Sequence, residues 1–201
     1  MMVLLKRCLV ETIPFPEEEQ MKYLVSSVIF GAVLASGAAF AQSAPPPATA
    51  GSNSGKLSAA DQKFIESAAI GGLYEIEAGR IAEKSANPQV KQFGARMVRD
   101  HSTANAKLKQ IVTAQGGTVP QGLDQDHQQQ LAHLRTLHGS EFAQAYMQDM
   151  VKDHDTDAQE FGQAAQSLDD PQLKNFAEQT LKVIEAHDKM AHQIADKMAA
   201  K

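Results

Sequence analysis

Tryptophan is absent, aromatic residues make up only 5% of the 201 positions, and cysteine occurs once. With so few large rings, a core must be filled by Ala, Leu, Ile, Val and Met, which suits one modest domain. The lone Cys8 excludes a disulfide framework. Basic residues are also scarce: 19 Lys and Arg stand against 24 Asp and Glu, a net charge of -5. That balance excludes a surface that condenses on nucleic acid or anionic lipid. Gly-x-Ser-x-Gly, phosphate-loop and dinucleotide-type glycine patterns are missing, so hydrolase and nucleotide chemistry have no support. Strand-like alternation is missing too, and the chain reads as all-α.

The long apolar run that does occur is confined to one place. Met21-Lys22-Tyr23 is a basic start, Leu24 to Leu34 an apolar middle, and Ala39-Phe40-Ala41 a small-x-small site. Residues 21–41 therefore read as a secretory signal peptide cleaved before Gln42. Gly31, Ser36 and Gly37 weaken the alternative of an uncleaved anchor. Because no cysteine stands at the cleavage site, a lipid anchor is excluded, and the mature chain is free of thiols. Residues 1–20, ending in Glu17-Glu18-Glu19-Gln20, precede the signal. Their purine-rich codons suit a ribosome-binding site, which makes residues 1–20 a mis-assigned extension with Met21 as initiator; a genuine extension is the alternative. Residues 42–56 are rich in Pro, then Gly and Ser, and read as a disordered linker. The folded domain is expected over residues 57–201, at a periplasmic or secreted address.

Within that domain, Ser58-Ala59-Ala60-Asp61 reads as a capped helix start. Ile65, Ala68, Ala69, Gly72, Ile76 and Gly79 then recur at helical spacing, to about Ala86. Asn87-Pro88 caps and opens a second helix with Val90, Phe93, Met97, Leu108 and Ile111 on its stripe, ending at Gly116-Gly117. Asp124 caps a short helix reaching about His138. Ser140 opens a third long helix with Phe142, Tyr146, Met150 and Phe161 inward, and Asp170-Pro171 starts a last one with Leu173, Phe176, Ile184 and Ile194 inward. The segments Asn87 to Phe93 and Asp170 to Phe176 echo each other, sharing Pro, Gln, Lys and Phe at matching positions. Two antiparallel hairpins joined by a connection that contains its own short helix predict a ferritin-like four-helix bundle with one long crossover. A helix of about 14 residues spans roughly 21 Å, enough to carry the chain back along the bundle.

In that topology the two Pro turns sit at opposite ends, and a helix of about 28 residues is roughly 42 Å long. Glu75 and His101, counted from the first turn, and His154, Asp157 and His187, counted from the second, all fall near mid-height. At 100° per residue, His101, His187 and Asp157 lie near the centres of their apolar stripes, His154 close to it and Glu75 on the flank. Imidazoles and carboxylates together suit zinc, iron, manganese or copper. Two readings stay open: a transition-metal site at Glu75, His101, His154, Asp157 and His187, or a buried polar layer that fixes helix register without any ligand. No Glu-x-x-His pair is present, which argues against di-iron oxidase chemistry. Met97 and Met150, one turn before His101 and His154, are expected to be core fillers rather than copper ligands. Asp149, Asp153 and Asp157 form a like-charge ladder expected on a solvated face, and His127, His133 and His138 are expected at the surface.

The run Ala68-Ala69-Ile70-Gly71-Gly72-Leu73-Tyr74-Glu75-Ile76-Glu77-Ala78-Gly79, with Met97-Val98-Arg99-Asp100-His101 and Leu181 to His187, resembles the domain-of-unknown-function family numbered 4142. The resemblance spans nearly the whole mature domain and implies a ferritin-like bundle exported by bacteria to the periplasm or envelope. The pairs Asp100-His101 and Asp153-His154 look like its most recognisable features, and it carries no assigned catalytic role. An outer-membrane label, common in that family, conflicts with the lack of β-barrel strands. The expected function is thus an exported helical-bundle protein of binding or structural type, stress-related and without turnover, with a metal-binding or metal-dependent redox bundle as the alternative. Nucleic acid and stable membrane insertion are not expected; a homo-oligomer is compatible.

Overall fold

Residues 57–200 are described by a computed structural model, and they form five α-helices with no strand among them. These are α1 (Ala59–Ala82), α2 (Pro88–Ala114), α3 (Gln125–Thr136), α4 (Gly139–Ser167) and α5 (Pro171–Ala199). The expected extension, signal peptide and linker, residues 1–56, lie outside the described residues. Among the described residues no helix is long and apolar enough to cross a membrane.

Local sequence sets the helix starts. Ser58 Oγ accepts from the Asp61 backbone N–H at 3.1 Å while the Asp61 carboxylate accepts from the Ser58 N–H at 3.0 Å, a reciprocal cap. The Asn87 side chain takes the N–H groups of Gln89 and Val90, and Asp170 those of Gln172 and Leu173, each with proline in the first turn. The repeated sequence segments therefore build the same cap twice. Helix α1 stops at Ala82, short of the expected Ala86, because the N–H groups of Lys84 and Ser85 bond back to Ile81 and Ala82 carbonyls in a tight turn. Ser140 is not the cap of α4: His138 holds that position without a side-chain bond, and Gly139 at φ +55° makes the turn.

Helix α1 packs along α2 and α4 along α5; α2 also meets α5, α1 meets α4, and α3 lies against α1 and α4. One apolar cluster joins the C-terminal half of α1 (Ala78, Ala82), the starts of α2 (Val90, Phe93) and α4 (Phe142, Tyr146), the end of α5 (Ala191, Ile194), and Leu131 and Leu134 of α3. A second joins the opposite ends, with Phe64, Ile111, Phe161 and Phe176. This distribution makes both hairpins antiparallel and sets α2 and α4 in the same direction.

The α1–α2 contact is unusually close. A Cβ on Gly94 would lie 2.7 Å from the Ala82 Cβ and 2.8 Å from the Gly79 carbonyl oxygen, and one on Gly79 would lie 2.9 Å from the Gly94 oxygen. A Cβ on Gly72 would collide with the Asn105 amide, which donates to the Ala69 carbonyl at 3.2 Å. Gly94→Ala is thus expected to lower stability by about 1–3 kcal/mol by overpacking, despite the better helix propensity of alanine. A urea denaturation midpoint equal to or above the parent's would contradict this account of the hairpin.

Candidate metal centre

Between the two apolar clusters, each long helix contributes one buried polar side chain: Glu75 from α1 is 2% exposed, His101 from α2 6%, His154 from α4 0% and His187 from α5 1%. Gly72 and Gly79, neither of which leaves room for a Cβ against α2, lie one turn to either side of Glu75. Glu75 Oε2 lies 2.6 Å from His101 Nδ1 and Oε1 lies 3.3 Å from His154 Nε2. The imidazole ring centroids are 5.3–5.7 Å apart. One nitrogen from each ring falls within 4.8 Å of the other two. Phe93 closes one side, its ring 6.3 Å from His154 and 6.4 Å from His187.

The protons on two rings follow from their partners. His154 Nδ1 is 2.9 Å from the Met150 carbonyl oxygen, which can only accept, so Nδ1 carries the hydrogen. Burial holds this imidazole below its ordinary pKa, against the attraction of Glu75, and keeps it neutral. Nε2 is then a bare lone pair facing the Glu75 carboxylate, acceptor against acceptor. His187 Nε2 donates to Asp100 Oδ2 at 2.9 Å. Burial drives the His187 pKa down to about 4, and Nδ1 is left bare. Partial burial alone would raise Asp100, but the His187 and Arg99 hydrogen bonds outweigh it and hold the carboxyl low. Burial would likewise raise Glu75, and His101, with Nδ1 2.6 Å from Oε2, outweighs it and holds the carboxyl below its ordinary value. His101 Nε2, His154 Nε2 and His187 Nδ1 are buried without a hydrogen-bond partner. Protein interiors seldom leave three such atoms side by side.

Asp157 is not part of the three-imidazole set. With Asp153 it lines a groove of about 470 Å³ between α1 and α4 that reaches Glu75. The aspartate ladder is accordingly not the solvated face expected: Tyr74 Oη donates to Asp149 Oδ2 at 3.2 Å, and all three aspartates are half-buried. Burial raises the pKa of each, assisted by neighbouring carboxylates at Asp153, which reaches about 7, and at Asp157. His127 is also not a bare surface residue, since its Nδ1 sits 2.7 Å from Asp124 Oδ1 and its ring packs on Tyr74. Asp100, the carboxylate that orients His187, is the site residue the sequence reading did not single out as a ligand partner. Away from the centre, Asp155, Asp188 and His192 form a partly exposed α4–α5 ion-pair cluster.

The raised Asp153 pKa has a measurable consequence in metal-free protein. Below about pH 3.8 the carboxyl is protonated in folded and unfolded chains alike. Between there and about pH 7 the folded chain keeps a proton that the unfolded chain releases, so stability falls as pH rises, and above about 7 the whole penalty is present. Asp153→Asn is therefore expected to stabilise the metal-free protein at pH 8, on the order of 2 kcal/mol after allowance for its residual exposure, and to have little effect near pH 4. Denaturation at the two pH values checks this; equal effects at both would contradict it.

The family described as Domain of unknown function (DUF4142) matches residues 46–194 of the chain. None of the curated proteins matches it significantly. A solved structure, the crystal structure of a DUF305 fragment from Deinococcus radiodurans, is similar in fold at a TM-score of 0.62 and 10% identity, covering 71% of this chain and 99% of that one.

Proposed function

Since the chain belongs to the DUF4142 family, whose description carries no activity, we propose a function from the site itself: an exported helical-bundle protein in which His101, His154 and His187 bind one divalent first-row transition ion beside Glu75. The observation that carries this reading is three buried ring nitrogens, one from each imidazole, without a hydrogen-bond partner, with the three rings close enough to share one ion. A polar layer whose only task is helix register pairs its groups with one another, whereas here one nitrogen of each ring lacks a hydrogen-bond partner. The opposite nitrogens of His154 and His187 donate to the Met150 carbonyl and the Asp100 carboxylate. Histidines that ligate metals are commonly held this way, because the outer hydrogen bond fixes the tautomer and raises ligand basicity. Three imidazoles and a carboxylate suit zinc, iron or copper, and manganese where the carboxylate contributes.

The two antiparallel hairpins, with α2 and α4 running in the same direction and α3 in the connection, support a ferritin-like four-helix bundle with one long crossover. Residues 21–41 support export and processing before Gln42 to a periplasmic or secreted address. Binding rather than turnover is the role assigned. Metal-free mature protein equilibrated with micromolar Zn(II) and then desalted should retain about one ion per chain, as three imidazoles in one site allow. The mass should begin at Gln42. Retention of no metal, with the fold intact, would leave the register-fixing layer as the account of these residues.

A further inference from the structure

We infer that the groove between α1 and α4 is the route by which a hydrated divalent cation reaches the imidazoles, with Asp153 and Asp157 as a station on its wall and Glu75 as the ligand that hands the ion inward. The inference rests on the metal-binding reading and adds to it a path. The groove holds about 470 Å³, six of its lining residues are acidic and two are lysines, and it ends at Glu75. Glu75 is 2% exposed, and its oxygens lie 2.6 Å from His101 Nδ1 and 3.3 Å from His154 Nε2. A buried carboxylate thus lines an acidic cleft on one side and touches His101 and His154 on the other. An ion entering there exchanges water for carboxylate oxygen before it meets nitrogen.

Two bonds between the helices bracket the cleft. Ser67 Oγ donates to Glu160 at 2.9 Å on one side and Tyr74 Oη to Asp149 at 3.2 Å on the other. Gly71 lies between them, one turn before Glu75, and a Cβ built on it would meet nothing within 4 Å. The missing side chain is what leaves this stretch of the cleft open. A second groove, between α2 and α5, also touches the site at Asp100 and His101, but Ala104, Ile111, Phe176 and Ile184 make its walls largely apolar. Hydrated dications are poorly served by such walls.

The test is the rate of Co(II) uptake by the metal-free full-length mature protein, read from the visible absorption of the bound ion after rapid mixing. Gly71→Leu should slow uptake, and chelator-driven release, by about tenfold or more. Its equilibrium affinity should stay within about threefold, because a narrowed path retards both directions equally. Asp153→Asn with Asp157→Asn should slow uptake by removing two oxygen ligands from the wall, whereas Ala104→Leu, across the molecule, should leave the rate as it was. Unchanged rates in both groove variants, or slowing by Ala104→Leu alone, would overturn the route while leaving the imidazole site standing. Absence of any Co(II) absorption in the parent protein would overturn the site and the route together.

Discussion

Saturating Zn(II) is expected to raise the unfolding temperature of the parent protein by roughly 5–10 °C, and His154→Ala combined with His187→Ala is expected to abolish that rise. An ion that binds only the folded chain stabilises it by about 2.7 kcal/mol at a hundred times its Kd, and in a domain of this size each kcal/mol moves the midpoint by about 2–4 °C. The two histidines supply bare nitrogens whose partner atoms on the far side of the ring are already engaged. Removing them leaves one imidazole and one carboxylate, too few to close a tetrahedral site. The comparison is of the zinc-induced shift and not of the absolute midpoint, because deleting two buried rings opens a cavity with or without metal. A shift that survives the double substitution would place the ion elsewhere, and the partly exposed Asp155, Asp188 and His192 cluster would be the first region to examine.

Glu75→Gln should act on both the metal-free and the metal-loaded protein. In the metal-free state the carboxylate accepts from His101 Nδ1 at 2.6 Å, and its loss leaves that buried donor without a carboxylate and should cost about 1–3 kcal/mol. Against the effect of burial, the carboxyl pKa is held below its ordinary value of 4.5 by His101. The stabilisation is therefore present above about pH 4.5 and fades as pH falls through the lower folded value, so parent and variant should converge in acid. In the metal-loaded state affinity should fall by about tenfold to a hundredfold, whether Glu75 ligates the ion or only compensates its charge. Denaturation from neutral pH to pH 3, with zinc titrations at neutral pH, measures both effects. A metal-free stability unaltered at neutral pH would mean that Glu75 does not stabilise the imidazoles it faces.

The histidines were legible in the sequence because their stripes are strongly apolar. His101 follows Met97, and His154 follows Met150, by one turn, while His187 lies three residues beyond Ile184, and all three methionine or isoleucine side chains are buried. Facing arithmetic along one helix suffices for such positions. Glu75 was assigned to the flank because the buried side of α1 is marked by Gly72 and Gly79, which contribute little to a hydropathy stripe although they mark where α2 comes nearest. Asp100 was missed for a related reason. One position from His101, it is turned by about 100° toward α5, and a lateral partner is invisible to a test for core facing. The burial of Asp149, Asp153 and Asp157 and the pairing of His127 depend on how α1 and α3 lie against α4, which no periodicity within α4 encodes. Cap chemistry, by contrast, is local, and Ser58, Asn87, Asp124 and Asp170 all cap the helices their sequence predicts.

X-ray absorption of the protein loaded with one equivalent of zinc tests the central claim most directly. Three imidazole ligands should give a first shell of nitrogen and oxygen at about 2.0–2.1 Å, with the outer-shell scattering of three ordered imidazole rings. That pattern should weaken by one ring in His154→Ala. A shell of light oxygen donors without imidazole scattering, or a spectrum indifferent to His154→Ala, would contradict a metal centre built from His101, His154 and His187.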